Sequence, residues 1–254
     1  MAVALSVATL HFGVAHPADI RSMIPADLER QLDNPIWSCL TTRHAQFALG
    51  GPHVRRYRAD ISPITGLPDA APIDVGALEA LFGIDDDIGV FGPRVPALPS
   101  NWETLNADRI TQMIRTDPSP LPEGDIEVAV LGEADVAEML ALVELTQPGP
   151  FRRRTIELGR FIGIREGGRL MAMAGERMWV GDSREVSGIC THPDALGRGF
   201  ARLLSGRVVN GILRAGQTPF LHVRSGNARA IGVYEALGFV RRAEFPLLHA
   251  RRLG

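Results

Sequence analysis

Along the second half of this chain, apolar positions switch repeatedly between a period of two and a period near 3.6, and each switch marks an element. Ile126 to Leu131 reads as a strand. Ala134 to Leu145 follows as a helix, with Val136, Met139, Leu140, Leu142 and Val143 on a broad apolar face. A second short helix is expected over Phe151 to Leu158. Phe161–Arg165 and Arg169–Val180 form a hairpin about Glu166-Gly167-Gly168. The second of these strands, LMAMAGERMWV, is apolar on both faces early on, as a strand covered from both sides requires. Glu185 to Thr191 is a further strand. Pro193, Asp194 and Gly197 supply a turn, and Phe200, Leu203, Leu204 and Val208 then recur at helical spacing. Pro219 to Arg224 reads as a strand, Asn227 to Leu237 as a helix, and Phe239 to His249 as a last strand or hairpin.

The first half is less regular. From Asp33 the run DNPIWSCLTTRHAQFALG places Ile36, Trp37, Leu40, Phe47 and Leu49 on a roughly helical face. Two further ordered pieces, Val75–Phe82 and Asn106–Ile114, are separated by Pro- and Gly-rich turns such as GPRVPALPSN. TDPSPLPEGD, from Thr116 to Asp125, is polar and Pro-rich and marks a boundary. The expected fold is an α/β chain with a mixed sheet, divided into an extension over residues 1–25, a first α/β half over 26–123, and a second over 124–254.

Composition narrows the function. At 254 residues and 45% hydrophobic content the chain can bury a sizeable core, and a net charge of -2 leaves no broad footprint for nucleic acid. All 27 basic residues are arginine. Cys39 and Cys190 form neither a disulfide framework nor a metal spacing, and no metal is expected. The apolar start carries no basic residue before Arg21, unlike a secretory leader, and no apolar run reaches membrane-spanning length. A cytoplasmic protein without nucleic-acid or membrane partners is expected.

Chemistry concentrates after Arg184. A helix opening on Gly197-Arg198-Gly199-Phe200-Ala201 turns several unpaired N–H groups and its positive dipole end toward one spot, and small residues let a diphosphate approach closely. This stretch resembles the acyl-CoA-binding turn of the GNAT N-acetyltransferase superfamily: Arg or Gln, two residues, Gly, one residue, then Gly or Ala. Gly199 and Ala201 fill the small positions, and Leu196 stands where the family has Arg or Gln. A second block, SGNARAIGVYEALGF from Ser225 to Phe239, carries the family's Asn, Ala, Tyr-Glu and Gly-Phe spacing. The element order β-α-α-β-β-β-α-β-α-β over roughly Gly124 to Gly254 is that of the GNAT fold. By architecture, the first half resembles the degenerate half of two-part GNAT proteins.

The resemblance implies acetyl-CoA as co-substrate and an amine acceptor, small molecule or peptide; it leaves room for a homodimer. It implies that the two strands flanking the cofactor splay apart, with main-chain N–H groups of Ile189, Cys190 and Thr191 polarising the thioester. It places the Tyr234 phenol near the sulfur as general acid and Asn227 beside the pantetheine arm. Each also has a structural reading, Tyr234 as a core residue and Asn227 as a helix cap. An amine acceptor must lose a proton (pKa about 10.4 for a lysine side chain). Glu185, eleven residues before Leu196, has the spacing of the catalytic glutamate in the histone acetyltransferase branch; it also shares an alternating face with Ser187, Ile189 and Thr191. Glu176 is the second candidate. Cys190 as an acyl carrier lacks an activating histidine nearby. His192 reads as a turn residue, and the placement of His222 is open. Arg152–Arg154 and Asp85–Asp87 read as solvated charge, with an acceptor-site role as the alternative. The competing reading of the whole chain is a non-catalytic acyl-CoA-binding module. A nucleotide-binding turn fares poorly: there is no lysine for a P-loop, and for a dinucleotide fold the turn follows an antiparallel-looking hairpin rather than opening a βαβ unit.

Overall fold

The computed structural model describes residues 23–69 and 72–254. Up to residue 22, the expected extension lies outside the described residues.

In the first half, α1 (Ala26–Asp33) and α2 (Pro35–Thr41) precede β1 (Ala48–Gly50), β2 (Arg55–Tyr57), β3 (Thr65–Gly66), α3 (Val75–Glu79), β4 (Asp87–Phe91) and β5 (Trp102–Ile114). The break between the two helices lies at Asn34-Pro35. Asn34 Oδ1 accepts from Trp37 N at 3.4 Å, and Pro35 occupies a first-turn position where no donor is needed. The helical face expected from Ile36 therefore stops at Thr41; Phe47 sits in a 3-10 turn and Leu49 in β1.

The second half runs β6 (Ala129–Leu131), α4 (Val136–Thr146), β7 (Phe161–Glu166), β8 (Arg169–Val180), β9 (Ser183–Thr191), α5 (Phe200–Arg214), β10 (Thr218–Arg224), α6 (Ala228–Glu235) and β11 (Val240–Arg252). This is the expected order with two differences. Only a 3-10 turn, Thr155–Leu158, forms where a second helix was expected, and the first strand is confined to Ala129–Leu131. The last segment, expected as a strand or hairpin, is one long strand, Val240–Arg252.

Eight strands form one mixed sheet in the order β4-β11-β5-β10-β9-β8-β7-β6, while β1, β2 and β3 form a small separate one. Within the large sheet only β9 and β10 are parallel. Because β5 lies between β10 and β11, the division expected at residues 123/124 does not divide the sheet. Nor is the Pro-rich stretch a free linker. Asn210 of α5 pairs both ways with the backbone of Leu121, at 2.7 and 2.8 Å, and Arg207 donates to the carbonyls of Glu123 and Gly124 at 2.9 and 2.8 Å. Leaving 3-10 turns out of both, α2 to β4 runs α-β-β-β-α-β, the same order as α4 to β10.

Helices cover both faces of the sheet. On one, α5 and α6 bury Phe200, Leu204, Val209 and Ile231, with Leu237 just past α6. On the other, Leu32, Ile36 and Leu40 of α1 and α2 are fully buried in a cluster with Met178 and Val180 of β8. Each such side chain contributes about 1.5–3 kcal/mol on burial, so the first half is bound to the second by its core.

Candidate active site

Two neighbouring strands part at the centre of the sheet. Pairing of β9 with β10 is limited to Ser183↔Thr218, Arg184↔Pro219 and Glu185↔Phe220. Past that point β9 pairs only with β8, and Leu221–Arg224 of β10 pair only with β5. The facing edges form a wedge whose main-chain groups have no ladder partner.

Gly188 sets the shape of one wall. It adopts φ +61, and the register there jumps from Ser187↔Gly175 to Cys190↔Met173, so β9 carries one extra residue. The bulge breaks the alternation on which the sequence expectation relied. Ile189 packs with Val186 toward α5, whereas Cys190 clusters with Met173 on the α4 side; Glu185, Ser187, Ile189 and Thr191 do not share one face. Beyond the bulge, His192 N donates to Met171 O at 2.7 Å. Strand alternation then directs the Cys190 N–H toward β8 as well, and those of Ile189 and Thr191 into the wedge. Of the three expected backbone donors, two face the opening.

The wedge leads to the start of α5. His192 caps the 3-10 turn Pro193–Ala195, its Nδ1 accepting from Asp194 N at 3.1 Å, and Arg169 also binds its ring. Gly197 and Gly199 have φ of +80 and +79, and a Cβ at either would meet nothing within 4 Å. Gly199 caps α5 without any side-chain bond to the helix N–H groups, and Leu196 beside it is 52% exposed. The surface above residues 197–201 is thus open and rich in donors, as a diphosphate requires. The Arg198 side chain turns away to pair with Glu166 and cover the Phe200 ring, which leaves its backbone as the group available to a ligand.

On the other wall stands α6. Asn227 Oδ1 accepts from Ala230 N at 3.1 Å, so its capping role is realised. Tyr234 is 8% exposed, and its ring centroid lies 6.3 Å from that of Phe239. Burial pushes its phenol up to about 12. The helix ends at Glu235, and the turn after it closes on Gly238, φ +82, where Arg115 Nε donates to Leu237 O at 3.0 Å.

Glu185, the expected base, is enclosed by donors. Glu185 is fully buried, and Arg177 grips both carboxylate oxygens, at 2.8 and 2.7 Å. His222 Nδ1 adds a third contact at 2.8 Å and Met178 N a fourth at 3.3 Å. Burial alone would raise this carboxyl, but the guanidinium and the ring outweigh it and hold it at about 2. A group so occupied and so weakly basic is poorly suited to take a proton from an ammonium. Glu176 differs: it lies level with the first unpaired residue of β9, Val186, keeps 17% of its side chain exposed, and meets Arg184 at 3.2 Å.

The remaining candidates have structural places. Burial pushes the Cys190 thiol up to about 11, the opposite of an activated nucleophile. Two of the three arginines, with part of the acidic run, join the halves. Arg154 meets Asp60 at 3.0 Å and Arg152 meets Asp87 at 3.5 Å, while Thr155 Oγ1 donates to Ile61 O at 2.6 Å. Asp86 pairs with Arg56 at 2.9 Å. The sequence reading missed Arg177, Gln112 and Arg242, the partners gathered around Glu185 and His222. A lone arginine in the apolar strand LMAMAGERMWV was the one available signal.

The FR47-like protein family matches residues 161–245. A GNAT-family protein of Novosphingobium aromaticivorans is 35% identical, covers 88% of this chain and 99% of its own, and superposes with a TM-score of 0.79. GCN5-related N-acetyltransferases of Kribbella flavida and Sphaerobacter thermophilus are each 15% identical and share the fold. Their TM-scores are 0.57 and 0.52, over 87% and 94% of this chain and 95% and 94% of theirs. Among curated proteins none matches. No helix among the described residues is long and apolar enough to cross a membrane.

Proposed function

Because this chain belongs to the GNAT family of acetyltransferases, we propose that it transfers an acetyl group from acetyl-CoA to an amine by direct attack. The observation that carries this reading is the parting of β9 and β10 beside the uncapped start of α5. A crevice with unpaired main-chain donors on one side and an anion-binding helix end beyond it fits a thioester joined to a diphosphate. When bound, acetyl-CoA supplies an activated acyl group and a thiol leaving group.

The chain's own residues divide the work. N–H groups over Gly197–Ala201 bind the diphosphate, and those of Ile189 and Thr191 orient and polarise the carbonyl. Asn227 borders the pantetheine arm while capping α6. Tyr234 keeps its proton on Oη at neutral pH, as an ordinary phenol does, and it can deliver that proton to the departing thiolate. Glu176, the partly exposed one of the two glutamates, takes the amine proton through water. We read the first half as a degenerate copy of the second, on the strength of its repeated element order.

Release of CoA thiol is followed with a panel of small-molecule and peptide amines, for the natural chain and for Tyr234→Phe. Turnover that falls about 100-fold in the variant, with acetyl-CoA affinity kept, supports the assignment. The closed carboxylate of Glu185 favours a second reading, a non-catalytic acyl-CoA-binding module. Binding of acetyl-CoA without acylation of any amine would decide for it.

A further inference from the structure

Main chain alone does not hold the wedge at its vertex. Just past the last backbone pair, Phe220↔Glu185, a side-chain bond crosses from strand to strand, with His222 Nδ1 2.8 Å from Glu185 Oε1. This is the second of four links in a chain through five neighbouring strands in sheet order: Arg177 on β8, Glu185 on β9, His222 on β10, Gln112 on β5 and Arg242 on β11. Beyond Arg242 the chain reaches α1, where Nη2 donates to Asp33 Oδ1 at 2.7 Å and Glu29 O at 2.8 Å. Two guanidiniums and two carboxylates balance along it, so the buried charges are compensated.

The direction of each bond follows from donor chemistry. Arg242 Nη1 donates to Gln112 Oε1 at 2.8 Å, which fixes the amide's orientation. Gln112 Nε2 then faces Leu32 O at 3.0 Å and His222 Nε2 at 3.1 Å. An amide nitrogen only donates, so His222 Nε2 accepts, and the ring proton sits on Nδ1 and is given to Glu185. The side chain of His222 is fully buried, with Phe91 and Phe220 at 4.7 and 5.6 Å between ring centroids, which fixes the ring's orientation. Glu185 already has two bonds from Arg177 within its own hairpin. His222 is therefore what ties that pair to β10.

We propose that His222 is a positioning residue: its Nδ1–H bond to Glu185 holds β10 against β9 at the vertex and sets the width of the crevice that receives the acyl-CoA arm. The assignment rests on reading the wedge as the acyl-CoA site. Two substitutions separate the two sides of the ring. In His222→Asn the amide nitrogen stands where Nδ1 stood, so the link to Glu185 is kept and that to Gln112 is lost. In His222→Gln the amide lies at the Nε2 position, keeping Gln112 and losing Glu185. Both remove the ring, and both should lower the melting temperature by similar amounts.

Affinity for acetyl-CoA is measured by calorimetry on the full chain, beside the melting temperature. His222→Asn is expected to bind within about 3-fold of the natural chain, and His222→Gln about 10-fold more weakly or worse. Equal losses in the two variants, or losses that simply track melting temperature, would overturn the positioning role. Failure of the natural chain itself to bind acetyl-CoA would overturn the acyl-CoA reading, and the role with it, so the two failures are distinct.

Discussion

Glu176 and Glu185 show how little a residue type says about its chemistry. Both lie near the vertex of the wedge, yet one meets water and the other meets four donors. Glu185→Gln leaves Arg177 buried beside a neutral amide, a change that costs about 3–5 kcal/mol. Its side-chain oxygen can still accept from His222 Nδ1, so its activity should fall only as its melting temperature does. Glu176→Gln loses the pairing with the mostly buried Arg184, so it should lower melting, though less than Glu185→Gln, and lower kcat by about 100-fold. Activity that falls no further than melting does would remove Glu176 from the reaction. Residues spaced by local geometry were legible from sequence: the Gly197 and Gly199 turn, the Asn227 cap, and Tyr234 in its helix. The partners of Glu185 and His222 were not. Gln112 and Arg242 are 130 positions apart and meet only because β5 lies next to β11. No spacing along the chain encodes that.

Among elements, β9 departs most from its sequence pattern, and one glycine is responsible. A Cβ on Gly188 would lie 2.8 Å from Phe161 Cε1, on a backbone at φ +61. Gly188→Ala should therefore cost about 1–3 kcal/mol, read as a fall in the urea midpoint, and should shift the Ile189 and Thr191 donors. An unchanged midpoint would show that the bulge relaxes freely. Gly199→Ala meets no steric obstacle, but at φ +79 it carries a similar backbone strain of about 1–3 kcal/mol. Beyond that loss of stability it should weaken acetyl-CoA binding, measurable by calorimetry. The periodicities that located α4 and α5 held because each helix buries one continuous face, and the apolar run of β8 held because that strand buries both. The pattern over Phe151–Leu158 misled because those residues are fixed by contacts to the first half, through Thr155 and Arg154, rather than by helical propagation.

Across the whole molecule, the seam between α1–α2 and the sheet is where acid should act first. His44, 2.9 Å from the Tyr57 hydroxyl, is pushed down to about 4 by burial and by Arg184, and burial lowers His222 as well despite Glu185. Both fold as neutral rings, while the unfolded chain binds their protons near pH 6.5. Stability is thus fully present above that pH and falls as pH drops from about 6.5 toward 4. Glu185 contributes later, between about 4.5 and about 2. Urea midpoints at stepped pH test this order, and His44→Asn should flatten the upper part of the slope. A boundary at the Pro-rich stretch was a fair reading of composition. Strand exchange between the halves leaves no mark on composition, so sequence could not show that the sheet crosses it. Residues 124–254 made alone should fail to give a cooperative melt.

The place of β5 also constrains how the molecule can be made. Its neighbours, β10 and β11, are both later in the chain, so during synthesis β5 waits with two bare edges, on the order of ten seconds at ordinary ribosomal speed. Newly made chains should accordingly depend on chaperones that shield extended segments, and slowing translation after residue 114 should favour aggregates over native protein.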